Sequence, residues 1–265
     1  MRDPIIYFAG PAQHSLCSWM AGHHVLENFE NNLGEDGDNI ARYRDTFESM
    51  ALDLGAYMLM TEERRKGPKT PEQKEARMTQ AIEWAVRHGE FYDWVSHYDD
   101  VTGGPEGNLR NFERCKKAGI PRLMAVFHQS EPLDLLRQYC RESQHIGLGF
   151  QRPIKDDAAW LDACFAEIPS SKWVHGFAMT GYLRWPFSSA DSKTWLHETL
   201  AIMKHSSQGA DALAYLTQPE VVAIVQKKYQ RQWRRDRWRG TFGVAAGRGE
   251  QVDLEELLAS LPDVA

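Results

Sequence analysis

Short apolar runs alternate with helical stretches along most of this chain, and several runs stop at an acidic residue. Met50-Ala51-Leu52-Asp53-Leu54-Gly55-Ala56-Tyr57, His97-Tyr98-Asp99-Asp100-Val101 and Ser188-Ser189-Ala190-Asp191-Ser192 each carry an aspartate there, and His175-Gly176-Phe177-Ala178-Met179-Thr180 carries a glycine after a histidine. Strand and helix alternating through short connections imply a parallel sheet with right-handed crossovers. Carboxylates at the carboxyl ends of successive strands are how a (β/α)8 barrel builds a catalytic mouth. The expected fold is therefore α/β, a TIM-like (β/α)8 barrel with an aspartate-based site.

Strands are expected at Ile5–Ala9 (ended by Gly10-Pro11), at a run ending in Ala51-Leu52-Asp53, and at Tyr92–Tyr98, Arg122–Phe127, His145–Gly149, Trp173–Phe177 and Phe187–Ala190. These make seven, and Thr241–Val244 is the candidate for an eighth that closes the barrel. Residues 12–47, with His14, Trp19, His23 and His24, form a mixed stretch suited to an active-site loop. Thr70 as N-cap and Pro71 at the first helical position start a helix that runs to about His88, where Gly89 caps it. Further helices are expected at Glu106–Ala118 (stopped by Gly119), Pro132–Cys140, Asp156–Ala166 and Ser192–Lys204.

A chain of 265 residues suits one barrel, so residues 1–265 are read as a single domain with a basic helical insertion at 210–239. The net charge of −6 argues against a surface that binds nucleic acid everywhere, and leaves room for a local patch. One such patch stands out. Lys227, Lys228, Arg231, Arg234, Arg235, Arg237 and Arg239 interleave with Tyr229, Trp233 and Trp238, and only Asp236 opposes them. Cations and aromatics in one helical stretch can grip phosphates and stack on bases; a solvated helix snorkelling its arginines over the barrel is the bland alternative.

No apolar run reaches bilayer length and Met1-Arg2-Asp3-Pro4 lacks a secretory core, so no membrane partner is expected. Cys17, Cys115, Cys140 and Cys164 show no paired spacing. They read as buried, inert thiols in a reducing compartment, the cytoplasm.

The strand-end segments resemble those of the tRNA-guanine transglycosylase family, most closely its phage-type DNA members of 7-deazaguanine modification. The family signature Asp-Ser-Gly-Gly/Ala-Phe/Tyr is similar to Asp53-Leu54-Gly55-Ala56-Tyr57. The resemblance implies that Asp53 recognises the purine, that Tyr57 stacks over it, and that Asp100, or Asp99 in the alternative register, is a second base reader; Asp53 is also the catalytic candidate for relaying a proton to the departing base. It further implies base contacts from Gln129, from Gly147, Leu148 and Gly149, and from His175 and Gly176, with Asp191 as the nucleophile. The implied reaction exchanges guanine in DNA for a 7-deazaguanine through an aspartyl-glycosyl intermediate, with no metal or redox cofactor. If the chain is phage-encoded, its place is the host cytoplasm.

The chain departs from the tRNA enzymes in two ways. It has no cysteine after Cys164, so their zinc site is missing; and where they place two acids three residues apart, it keeps Asp191 alone. Two other readings stay open at this level: a nucleoside or nucleobase hydrolase on the same barrel, and an inactive nucleic-acid-binding barrel. Asp191 could also serve only as a helix N-cap, and Asp99-Asp100 as a turn pair. If the basic segment grips phosphates, neutralising Arg231, Arg234 and Arg235 together should weaken DNA binding and flatten its salt dependence. Fluorescence anisotropy at several salt concentrations measures this, and an unchanged slope would leave the segment as solvated surface.

Overall fold

The computed structural model of the chain describes residues 4–9, 22–29, 44–55, 62–63, 67–99, 103–149, 157–179, 185–192 and 227. Eight parallel strands pair in sequence order and close into a barrel: β1 (Ile5–Ala9), β2 (His24–Asn28), β3 (Ser49–Asp53), β4 (Val95–Ser96), β5 (Leu123–His128), β6 (His145–Gly149), β7 (Trp173–Phe177) and β8 (Ser189–Ser192). The described helices are α1 (Pro71–His88), α2 (Gly104–Lys117), α3 (Leu133–Glu142) and α4 (Asp157–Glu167). The TIM-like barrel expected from the alternation is the fold observed.

Three expectations are corrected. The strand missing from the seven is β2, which lies inside the stretch read as a loop; its Glu27 is buried, and a short strand with an acidic residue hides its apolar alternation. Closure comes from β8, which pairs with β1 at Ile5↔Ser189, Ile6↔Ala190, Tyr7↔Asp191 and Phe8↔Ser192. The ring has no open edge left for Thr241–Val244, which lies outside the described residues. Asp191 and Ser192 belong to this strand, so the helix expected from Ser192 does not start there.

Helix α1 begins as its sequence dictates. Thr70 Oγ1 accepts from the Gln73 N–H at 3.3 Å and Gln73 Oε1 accepts from the Thr70 N–H at 2.9 Å, a reciprocal capping box ahead of Pro71. Met78, Ala81, Ile82 and Ala85 recur at helical spacing and bury one face. That face covers Phe8, Val25, Met50, Leu52 and Val95 on the outside of β1–β4. On the other half, Phe112, Leu136, Tyr139, Leu161 and Cys164 pack over Ala125, Phe127, Ile146, Leu148 and Val174. Cys115, Cys140 and Cys164 are free and buried, and burial pushes the Cys115 and Cys164 thiols up to about 12. Among the described residues no helix is long and apolar enough to cross a membrane.

Inside the barrel, Tyr7, Leu26, Ala51, Trp94 and Met124 pack together with Phe177. Alternation along each strand therefore aims the same parity, including Asn28, Asp53, Ser96, His128, Gly149 and Asp191, inward at the carboxyl end. Gly147 has the same parity one layer below the rim. A Cβ there would come within 2.7 Å of the Phe177 ring and 3.1 Å of Met124 Sδ. Gly147→Ala should therefore overpack the interior and cost roughly 1–3 kcal/mol, read as a lowered urea midpoint at unchanged slope. An unshifted midpoint would show that this layer is loosely packed.

Candidate active site

The carboxyl ends of the strands gather a polar ring. Asp53, the last residue of β3, is oriented by three donors: the Gly55 N–H at 2.9 Å, the Ser96 hydroxyl at 3.2 Å and the Asn28 side-chain amide at 3.3 Å. Gly55 makes this possible. Its φ of +66° suits glycine, and a Cβ would run into the Asn28 amide. Ser96 in turn accepts the Leu54 N–H at 2.9 Å, which ties β4 to the end of β3.

Asp191 stands three strands away around the ring and is 3% exposed. Its Oδ1 accepts the Ala178 N–H at 2.7 Å and lies 3.4 Å from His175 Nε2. Ala178 adopts φ +55°, a left-handed conformation that costs a non-glycine residue on the order of 1 kcal/mol or more. That strained turn after β7 aims its N–H at the carboxylate. His175 Nδ1 lies 2.9 Å from Ser189 Oγ, and its ring packs 4.6 Å from Trp94. Burial holds the His175 pKa below the ordinary value, against the pull of Asp191.

A second acidic group surrounds β5. His128, at the end of that strand, places Nε2 2.9 Å from Asp99 Oδ2. Its backbone N–H donates to Glu131 Oε2 at 2.7 Å. Burial alone would lower the His128 pKa, but the Asp99 hydrogen bond and charge, with Glu131 and Asp53 behind them, raise it instead. Burial raises the Glu131 pKa, and the His128 N–H and Asn108 amide oppose that. The sequence reading passed over His128, although it stands at a strand end next to Gln129, and it did not include Glu131.

The remaining expected site residues fall in several places. Gln129 donates its backbone N–H to Gly149 O at 3.2 Å, and its Nε2 lies 3.4 Å from Asp157 Oδ1. Gly149 faces the mouth beside His128, where a Cβ would sit 2.9 Å from Nδ1. Gly147 lines the layer beneath. The Leu148 side chain is in the outer core under the helices, and Gly176 packs outward against Met179 and Phe187. Tyr57, Asp100, Lys228, Arg231, Arg234, Arg235 and Arg237 lie outside the described residues; Lys227 is an exposed helical residue. His24 is a barrel residue whose Nδ1 lies 2.7 Å from Ser49 Oγ at the amino end.

Among the described residues no group of three histidine, cysteine or acidic side chains could hold a metal ion. A groove of about 350 Å³, bordered by Lys116, Arg122, Glu142 and His145, opens at the amino ends of β5 and β6. It lies away from the face where barrels of this kind do chemistry.

No protein-family description matches the chain, and no curated protein matches it. The solved structures that resemble it include the following three. A protein of Coccidioides immitis, provisionally assigned as a fructose-1,6-biphosphate aldolase, has a TM-score of 0.49 at 9% identity, covering 90% of this chain and 93% of its own. The YdjI aldolase of Escherichia coli K12 has a TM-score of 0.44 at 8% identity, covering 89% of each chain. Dihydrodipicolinate synthase from Oceanobacillus iheyensis has a TM-score of 0.43 at 13% identity, covering 97% and 94%. Likenesses this distant carry no argument about activity.

The His128–Asp99 pair has a pH signature. Because the folded His128 pKa stands above 6.5, its protonation stabilises the fold fully below that value and loses its effect as pH rises through the folded pKa. Asp99→Asn removes the largest raising contribution. The stability gap between wild type and Asp99→Asn should therefore be widest near pH 6 and narrow towards pH 9, measured by urea unfolding. A gap that is constant, or that widens with pH, contradicts the ion pair.

Proposed function

We propose that this chain is an enzyme of the base-exchanging glycosyltransferase class, replacing guanine in DNA with a 7-deazaguanine. The observation that carries the reading is the pair of oriented carboxylates, Asp53 and Asp191, at the carboxyl ends of β3 and β8. Each is held by donors that fix its direction: Gly55, Ser96 and Asn28 for the first, Ala178 for the second. Breaking an N-glycosidic bond develops positive charge at the sugar C1′, and a fixed carboxylate can trap that carbon covalently. Asp191 takes this role. Asp53 accepts from the donor edge of the purine, with its own orientation set before substrate arrives.

A target base in a duplex must leave the stack to reach a barrel mouth. The aromatic Tyr57 and the cations from Lys227 to Arg237 supply what such a nucleotide needs, a stacking face and phosphate contacts. The strained Ala178 fits the same reading, because backbone strain collects where a functional group has to be aimed.

The test is a pair of substitutions. Asp191→Asn should keep DNA binding while losing exchange of labelled guanine into DNA by several orders of magnitude, on the order of 10⁴-fold or more, as for removal of a covalent nucleophile. Asp53→Asn should instead weaken discrimination between guanine and other purines. The protein–DNA adduct on denaturing gels should vanish in the first variant and only diminish in the second. Full exchange in Asp191→Asn would move the nucleophile elsewhere, and abasic sites without an adduct would make the protein a hydrolase.

A further inference from the structure

A chain of buried polar groups runs behind β5, and its hydrogen bonds settle which atom carries each proton. The Val126 N–H donates to His97 Nδ1 at 3.0 Å, so that nitrogen bears no proton and Nε2 does. Nε2 therefore donates to Asn108 Oδ1 at 2.7 Å. The Asn108 amide nitrogen then has both its hydrogens placed, on Val126 O at 3.0 Å and Glu131 Oε1 at 2.8 Å. The second Glu131 oxygen takes the His128 N–H at 2.7 Å. Burial keeps His97 neutral, consistent with its single ring proton.

Such a fully assigned chain rigidifies whatever it ends on, and it ends on the backbone N–H of His128, which fixes where that side chain leaves the strand. The ring of that residue points into the barrel, because Met124 and Val126 of the same parity pack against Gly147 on the inside. Nε2 lies 2.9 Å from Asp99 Oδ2, within ion-pair reach. Nδ1 has no hydrogen-bond partner among the described residues, although the residue is only 5% exposed. On β6 the facing position is Gly149, and any side chain there would strike Nδ1. A buried, oriented ring nitrogen facing a bare strand at the mouth is placed to meet a ligand.

We propose that His128 is the proton donor and acceptor of the base exchange, with Nδ1 meeting the purine and Asp99 holding Nε2–H; this rests on the base-exchange reading. In the first half, an Asp191 oxygen forms a bond to C1′ as the C1′–N9 bond breaks. The electron pair goes to guanine, and the Nδ1 proton passes to the departing ring. In the second half, the N9 of the incoming 7-deazaguanine forms the bond to C1′ and the Asp191 oxygen leaves with its pair. The N9 proton returns to Nδ1, so the imidazolium is restored and no further reactant is needed.

The groups facing His128 come from each neighbouring element. Asp99 follows β4, Glu131 precedes α3, Asp53 ends β3, and His97, held neutral, lies behind. Three carboxylates around one imidazole favour its charged form, which suits a proton donor.

The test uses two DNA substrates, one with guanine and one with 7-methylguanine, whose base is already cationic and departs without a proton. His128→Gln should slow labelled-guanine exchange by about 10²–10⁴-fold, yet slow 7-methylguanine release less than tenfold. Asp99→Asn should do the same more weakly and move the alkaline limb of the pH–rate profile to lower pH. In NMR of histidine-labelled protein, the His128 ring should titrate above free histidine in wild type and lower in Asp99→Asn. Equal losses on both substrates, or a ring that titrates at or below free histidine, would overturn the assignment while leaving base exchange standing. A wild-type protein inert on both substrates would overturn the base-exchange reading itself, and this assignment with it.

Discussion

The parallel pairing of β1 with β8 is the contact on which the rest of the molecule depends. Four register pairs, from Ile5↔Ser189 to Phe8↔Ser192, close the ring and leave no strand edge exposed. Closure brings all eight carboxyl ends to one face, which is why acids distant in sequence, Asp53 and Asp191, come to share a mouth. Register matters as much as closure. A slip of one residue would turn Asp191 out of the barrel and Ala190 in. Tyr7, paired with Asp191, packs edge-on against Trp94 at 5.6 Å and His175 at 5.9 Å, so the interior aromatics hold that register.

Burying polar groups this densely is stable only when nearly every donor and acceptor is matched. For its buried acids the barrel does this differently on its two sides. Asp53 and Asp191 are satisfied mainly by groups on the neighbouring strand or the turn beside it. Behind β5 the same task falls to a relay of side chains, His97, Asn108 and Glu131, that links the strand to the segment after β4, to α2 and to the turn before α3. Removing any member leaves its neighbour without a partner in a dry environment, a loss of about 1–3 kcal/mol per group. The relay thus ties the packing of α2 to the backbone at the mouth end of β5.

The chain announces its architecture most clearly where local physics is strong. The Thr70–Pro71 start and the Met78–Ala85 face of α1 follow from capping and periodicity alone. The strands β5, β6 and β7 are apolar runs with clean boundaries. β2 and β8 are harder, because polar residues interrupt their short runs: Glu27 and the inward Asn28 in β2, and the inward Ser189 and Asp191 followed by Ser192 in β8, look like loop. For the same reason Asp53 and Asp191 could be picked out as strand-end acids, whereas the Asp99–His128 pair and the Asn108 hub could not. Those contacts join residues on separate elements, and no spacing along one strand or helix signals them.

The base-exchange account stands or falls on what the protein leaves in DNA. Mass spectrometry of nucleosides from DNA incubated with the protein and candidate 7-deazaguanine bases measures this directly. The account predicts a 7-deazaguanine nucleoside in the DNA and an equal amount of guanine released. Guanine released with abasic sites and no new nucleoside, or DNA left unchanged with every base offered, would contradict it.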